Sequence, residues 1–144
     1  MLRLIQYILI VVLIPCFALA NEPIGTIGIV VGQADVVNRN IDIKIKDNIY
    51  FGDVIKTGAQ TNLQILFDDE TVFTIGENTE IIINKFIYDP NQSNELNIIS
   101  AELVQGSLKV VTGLITKQNP DNLSITLPTG VLATRGTEVQ ALVK

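Results

Sequence analysis

Histidine and tryptophan are absent from this 144-residue sequence, and cysteine and methionine occur once each. Without histidine the commonest general base is missing. The single cysteine, Cys16, lies in an N-terminal segment expected to be removed, which leaves no disulfide and no thiol chemistry. The usual ligands of a zinc site are missing for the same reason. None of the four serines, Ser93, Ser100, Ser107 and Ser124, stands in a nucleophile-elbow context, and neither a phosphate-binding loop nor a dinucleotide fingerprint occurs. Carboxylates such as Asp53, Asp68 and Asp69 leave glycoside chemistry as one residual route. The lack of tryptophan to stack a sugar ring argues against it. No catalytic residue, cofactor or metal ligand is therefore expected. Positive charge is scarce too. Once Arg3 leaves with the N-terminal segment, nine Lys and Arg face fifteen Asp and Glu, a net charge of −6. With no basic cluster to offset this, the charge excludes nucleic acid as a partner.

The first twenty residues supply what the rest lacks, a long apolar run. Met1-Leu2-Arg3 is a short positive start, and Leu4 to Ile14 is apolar apart from Gln6 and Tyr7. Pro15 follows, and then the small-x-small pattern Ala18-Leu19-Ala20. This reads as a secretory signal peptide over residues 1–20, cleaved after Ala20, and it places the domain in the periplasm or outside the cell. Two alternatives stand beside it. One is an uncleaved anchor, for which the run is short. The other is a lipoprotein signal at Cys16, for which Pro15 is a poor preceding residue. After cleavage no membrane span is expected.

Residues 21–144 read as one all-β domain, strand after strand, with turn residues about every 8–12 positions. Thr26 to Val37 is the first run. Ile41 to Lys46 alternates apolar and charged residues, which predicts a half-buried strand. Leu63, Ile65 and Phe67 alternate, Asp68-Asp69-Glu70 is a polar tip, and Thr71 to Ile75 returns, together a hairpin. The run Ile81-Ile82-Ile83 inside Glu80 to Phe86 predicts a strand buried on both faces. Leu96 to Leu103, Ser107 to Val111 and Leu123 to Leu127 are further strands, and Gly113 to Asn122 is a loop. Gly32, Gly52, Gly58, Gly76 and Gly106 end short strands in a weak rhythm, compatible with stacked coils; there is no exact repeat. Periodicity alone leaves a sandwich and a solenoid open.

Three places invite a functional reading. Asp68, Asp69 and Glu70 form a charged tip. Asp89, Asn91, Ser93 and Glu95 put oxygen atoms at alternate positions, the opening rhythm of a calcium loop. Asn94 stands where that loop needs glycine and Ser100 where it needs glutamate, so a solvated loop is expected. Arg135 lies between Val131-Leu132-Ala133 and Val139, where a guanidinium needs a partner. A structural ion pair with Asp53 or Glu80 is expected, with contact to a ligand as the alternative.

Taken in order, several segments resemble a FecR-type domain. They are Gly28 to Ala34; Ile49-Tyr50-Phe51-Gly52-Asp53-Val54-Ile55-Lys56-Thr57-Gly58; Leu63 to Phe67 with Phe73-Thr74-Ile75-Gly76; Leu103-Val104-Gln105-Gly106-Ser107-Leu108; and Thr126-Leu127-Pro128-Thr129-Gly130 with Arg135-Gly136-Thr137. The resemblance implies a periplasmic, solenoid-like β domain engaged in protein–protein signalling. It marks Gly52, Asp53, Gly58, Gly106, Pro128, Arg135, Gly136 and Thr137 as motif residues. The best-known members of the family sense an outer-membrane transporter and control a sigma factor. This sequence shows no cytoplasmic leader, internal membrane helix or further domain of that kind, so control of a sigma factor is not expected. The sequence points to an exported binding module for an unidentified envelope protein. The contacts are expected at Asp68–Glu70, Asp89–Glu95 and Gly113–Asn122, or by strand addition at a sheet edge. A structural or assembly subunit of a surface system is the alternative.

Overall fold

The computed structural model describes residues 21–92, 95–133 and 136–144. The expected signal peptide, Arg135, and Ser93 and Asn94 of the calcium-like loop lie outside these residues. The described chain is all-β, as expected, with its strands hydrogen-bonded into one curled, open sheet of twelve strands.

Four long antiparallel runs carry the architecture, each bent once. The first is β1 (Gly25–Val31) with β2 (Ala34–Val36), and the second is β5 (Val54–Thr57) with β6 (Asn62–Phe67). The third is β7 (Val72–Ile75) with β8 (Glu80–Ile87), and the fourth is the single long strand β9 (Ile98–Val111). In one half of the sheet the neighbours are β1, β6, β7 and the end of β9. In the other half they are β2, β5, β8 and the beginning of β9. Alternation along the strands, interrupted by register shifts at Ile27/Ile29, Glu80/Ile81 and Ile83/Lys85, sends one set of side chains to the concave side. Ile27, Leu63, Ile65, Phe73, Ile75 and Val110 from one half meet Ile55, Ile81, Ile83, Ile99, Ala101 and Leu103 from the other in a single core. Phe67 of β6 stacks on Phe86 of β8, ring centroids 5.4 Å apart, where the ends of the two halves meet.

The glycine rhythm has its explanation in the bends. Gly32, Gly58, Gly76 and Gly106 all sit where a run passes from one half to the other, while Gly52 belongs to a separate turn. Two of the bends repeat a pattern hidden in the sequence. Gly58-Ala59-Gln60-Thr61 and Gly76-Glu77-Asn78-Thr79 each place an amide residue at positive φ, 54° for Gln60 and 49° for Asn78. Each ends on a buried threonine whose hydroxyl accepts from the adjacent run. Gln33 N–H donates to Thr61 Oγ1 at 3.1 Å, and Ser107 N–H donates to Thr79 Oγ1 at 3.0 Å. The facing residues are Gly32 (φ +89°) and Gly106 (φ +94°), and a Cβ on either would collide with the threonine.

The remaining strands extend the edges. β3 (Ile41–Asp42) pairs with β2, and β4 (Asn48–Ile49) pairs with β1. β10 (Leu123–Leu127) pairs in parallel with β9 and antiparallel with β11 (Gly130–Ala133). β12 (Glu138–Val143) pairs with the end of β9.

Three expectations need correction. Ile41 to Lys46 is not one strand. Ile43 is buried, but Ile41 and Ile45 are 43% and 60% exposed. Asp42 faces Asp35 across the ladder, and like charges directly opposite weaken a pair. Asp47 then draws the chain into a turn by accepting from Lys44 N–H at 2.8 Å. Glu80 to Phe86 is buried on one face only, through Ile81 and Ile83. Gly113 to Asn122 is not a plain loop: it contains the short helix α1 (Leu114–Gln118) and a single 3-10 turn, Pro120–Asn122.

Candidate functional site

The bends lie at one end of the molecule. The opposite rim carries the hairpin tip after β6, the β8–β9 loop and the crossing segment that contains α1. These are the three segments expected to make contacts, and side-chain hydrogen bonds tie them together.

Asp69 makes the first tie, and its role differs from the one expected. It is fully buried and cannot touch a partner. Its carboxylate accepts from Thr71 N–H at 3.1 Å, from the Thr71 hydroxyl at 2.7 Å and from Ile115 N–H at 3.2 Å. Its backbone carbonyl accepts from Leu114 N–H at 2.7 Å. Gly113 packs so closely on this tip that a Cβ would strike the backbone of residues 69–71. Asp69 is thus the seat of α1. The flanking Asp68 and Glu70 are exposed, Glu70 at φ 71°. Partial desolvation first, and the charge of Asp69 second, push the Asp68 carboxyl above its ordinary value.

Asn97 makes the second tie. Its buried amide accepts from Asp89 N–H at 2.8 Å and donates to the Asp89 carbonyl at 3.1 Å, clamping the neck of the loop. The Asn97 carbonyl accepts from the Asn122 amide at 2.6 Å, which joins this loop to the crossing segment. The Asp89 carboxylate accepts from Asn91 N–H at 2.8 Å in a local turn, the arrangement of a solvated loop. Asn91 and Glu95 are exposed. The outcome is one continuous rim, with Asp68, Glu70, Asn91, Glu95, Lys117 and Asp121 exposed on it.

The motif residues serve the scaffold. Asp53 is buried, and Arg39 grips it with two bonds, Nε to Oδ1 at 2.8 Å and Nη2 to Oδ2 at 2.6 Å. Tyr50 N–H donates to the same Oδ2 at 3.0 Å, and the Arg39 guanidinium lies 4.8 Å from the Tyr50 ring centroid. The ion pair raises the Arg39 pKa, so its charge is permanent. Glu80 faces Lys56 at 3.5 Å. Gly52, at φ +81°, closes the turn that Asp53 caps. Gly58 and Gly106 belong to the bends, and Pro128 is exposed in the turn between β10 and β11. The carbonyls of Gly136 and Thr137 accept from the Thr112 hydroxyl, at 3.4 Å and 3.2 Å, and fix the start of β12.

Sequence reasoning passed over Arg39, Thr71 and Asn97. Arg39 was findable as one of only two arginines beyond Arg3. Nothing local marks Asn97, whose partners come from the fold. Among the described residues, each of the nine buried polar ones is hydrogen-bonded within the scaffold. Among the described residues, no three His, Cys, Asp or Glu side chains gather as they would around a metal ion. No described helix is long and apolar enough to cross a membrane.

A family model described as FecR protein matches residues 53–144. No curated protein and no solved structure matches the chain.

Proposed function

We propose, on the premise that the chain belongs to the FecR protein family, that it is an exported, non-enzymatic binding module. It engages a protein of the bacterial envelope through the rim opposite the bends. The observation that carries this reading is the division of labour among polar groups. Those buried among the described residues hold the fold, and three segments rich in exposed polar groups, the β6–β7 tip, the β8–β9 loop and the crossing segment, are tied into one surface. Loops on a rigid scaffold are where recognition residues concentrate. Asp68, Glu70, Glu95 and Asp121 against Lys117 make the rim acidic, which suits a partner with a basic face. Residues 1–20 act as the cleaved export signal in this reading, and the module works in the periplasm or outside the cell. Sensing, as in FecR-type regulators, is the role that fits a catalytically bare module. Between the two architectures left open, the antiparallel course of the four runs favours the sandwich-like one.

Cross-linking in intact cells, with capture through a C-terminal tag, tests the proposal. One stoichiometric envelope protein is expected, on a chain whose mass begins at Asn21. Recovery of self-products alone would put the structural or assembly reading ahead.

A further inference from the structure

We infer that two copies of the chain pair through β12, in antiparallel register, and that this contact is independent of the rim and its partner. The sheet's edges are finished unequally. β3 and β4 are only two residues long, and β3 carries Asp42 opposite Asp35. β11 has four residues and follows Pro128-Thr129. Shortness, charge and proline are the ordinary guards against edge pairing. β12 has six residues, Glu-Val-Gln-Ala-Leu-Val, with no proline, no lysine and no bulge within it. Leu142 is 68% exposed.

The hydrogen-bond pattern shows which groups remain open. Thr112 N–H donates to the Thr137 carbonyl at 2.9 Å, so residues 112 and 137 form a hydrogen-bonded pair. In an antiparallel ladder such pairs alternate with non-hydrogen-bonded ones. Val139, Ala141 and Val143 therefore bond to Val110, Leu108 and Gly106 of β9. Glu138, Gln140 and Leu142 turn their N–H and C=O groups to the other edge, along which no strand pairs among the described residues. The side chains divide the same way: Val139, Ala141 and Val143 are half-buried, with Ala141 and Val143 packed against the core, while Glu138, Gln140 and Leu142 are exposed.

A second copy of β12 answers this edge. A two-fold axis normal to the sheet keeps each face on its own side, so only residues of like parity can oppose one another. Centred on Ala141, the pairing sets Val139 against Val143 on the core side and Gln140 against Leu142 on the outer side. It sets Glu138 against Lys144 at both ends, with opposite charges in register. The open amides of Gln140 and Leu142 then exchange bonds across the axis. This is an isologous contact, which closes at two copies and does not propagate. Six-residue strand pairing is smaller than the roughly 1,600 Å² of a standard interface. The dimer is accordingly weak, with a Kd on the order of 100 μM.

The test is light scattering or sedimentation of the purified protein from about 10 to 500 μM, a range that brackets the expected Kd, together with a cysteine cross-link. The expected result is a mass that rises with concentration toward twice that of the single chain. Gln140→Pro removes an N–H that faces the free edge and none that serves β9, and it should hold the mass at one copy throughout. In a Cys16→Ser background, Ala141→Cys should oxidise to a disulfide-linked pair, since opposed Cα atoms at a non-hydrogen-bonded site lie about 4.5 Å apart. Thr74→Cys, on the same half of the sheet but two strands away, should not. The cross-link does not depend on Gln140→Pro folding. A single-copy mass at every concentration would overturn the inference. So would a two-copy mass in which Ala141→Cys cross-links no faster than Thr74→Cys, because the contact would then lie on another surface.

Discussion

Asp69 and Asp53 show how two carboxylates can be equally buried and do different work. Asp53 has a cation, Arg39, and the pair holds a turn. Asp69 meets no cation among the described residues; three N–H and O–H donors hold it, and it seats α1. Asp69→Ala leaves those donors unmet inside the protein, each at about 1–3 kcal/mol. A loss of about 3 kcal/mol or more in urea unfolding is expected; a loss under 1 kcal/mol would contradict the seating role. Asp68 answers to pH. Its folded pKa is raised above 3.8, chiefly by partial desolvation, so the folded state favours its protonated form. Its contribution is most favourable below the unfolded value and declines as pH rises through the folded one. Glu138 runs the other way. The Lys109 and Gln140 hydrogen bonds lower its pKa below 4.5, so its contribution is present above that value and is lost as pH falls through the folded one. Asp68→Asn should thus be neutral to slightly stabilising at pH 7, by about 0.5 kcal/mol at most for a surface site. Urea midpoints of parent and variant should converge toward pH 4.

The bends, and not the strands, specify the fold at the scale of the element. Gly106→Ala combines a φ of +94° with a Cβ collision against Thr79. Gly52→Ala has a comparable φ of +81° with nothing within 4 Å of the added atom. The left-handed conformation alone costs about 1–2 kcal/mol, so Gly106→Ala should be the worse by at least about 1 kcal/mol once overpacking is added. Equal thermal midpoints for the two variants would contradict this. The strands themselves were legible, because the period of two in Leu63-x-Ile65-x-Phe67 or Leu123-x-Ile125-x-Leu127 states a buried face directly. The same rule failed at Ile41 to Lys46, where Asp42 meets Asp35 and Asp47 turns the chain, since periodicity records no cross-strand neighbour. The contact segments could be read as polar stretches. Their union into one rim could not, because it rests on pairs as distant as Asp69–Ile115 and Asn97–Asn122.

The whole molecule is larger than the matched family segment. That segment begins at Asp53, yet β1 lies along the full length of β6, and β2 lies beside β5. Residues 24–49 supply Ile24, Ile27, Ala34, Val36, Ile43 and Ile49 to the core. At about 1.5–3 kcal/mol for each large apolar side chain, their loss rivals the 5–15 kcal/mol by which a domain is stable. A fragment of residues 53–144 should therefore show no cooperative thermal transition, whereas residues 21–144 should. A fragment that unfolds cooperatively would mean that the first run is an accessory.

The rim opposite the bends is the proposed binding surface. Photo-crosslinking residues placed at Glu70 and Asn91 on the rim, and at Gln60 and Asn78 on the bends, test it in intact cells. All four positions are exposed. One envelope protein should be captured from Glu70 and Asn91 and not from Gln60 or Asn78. Capture of that protein from the bends, with none from the rim, would contradict it.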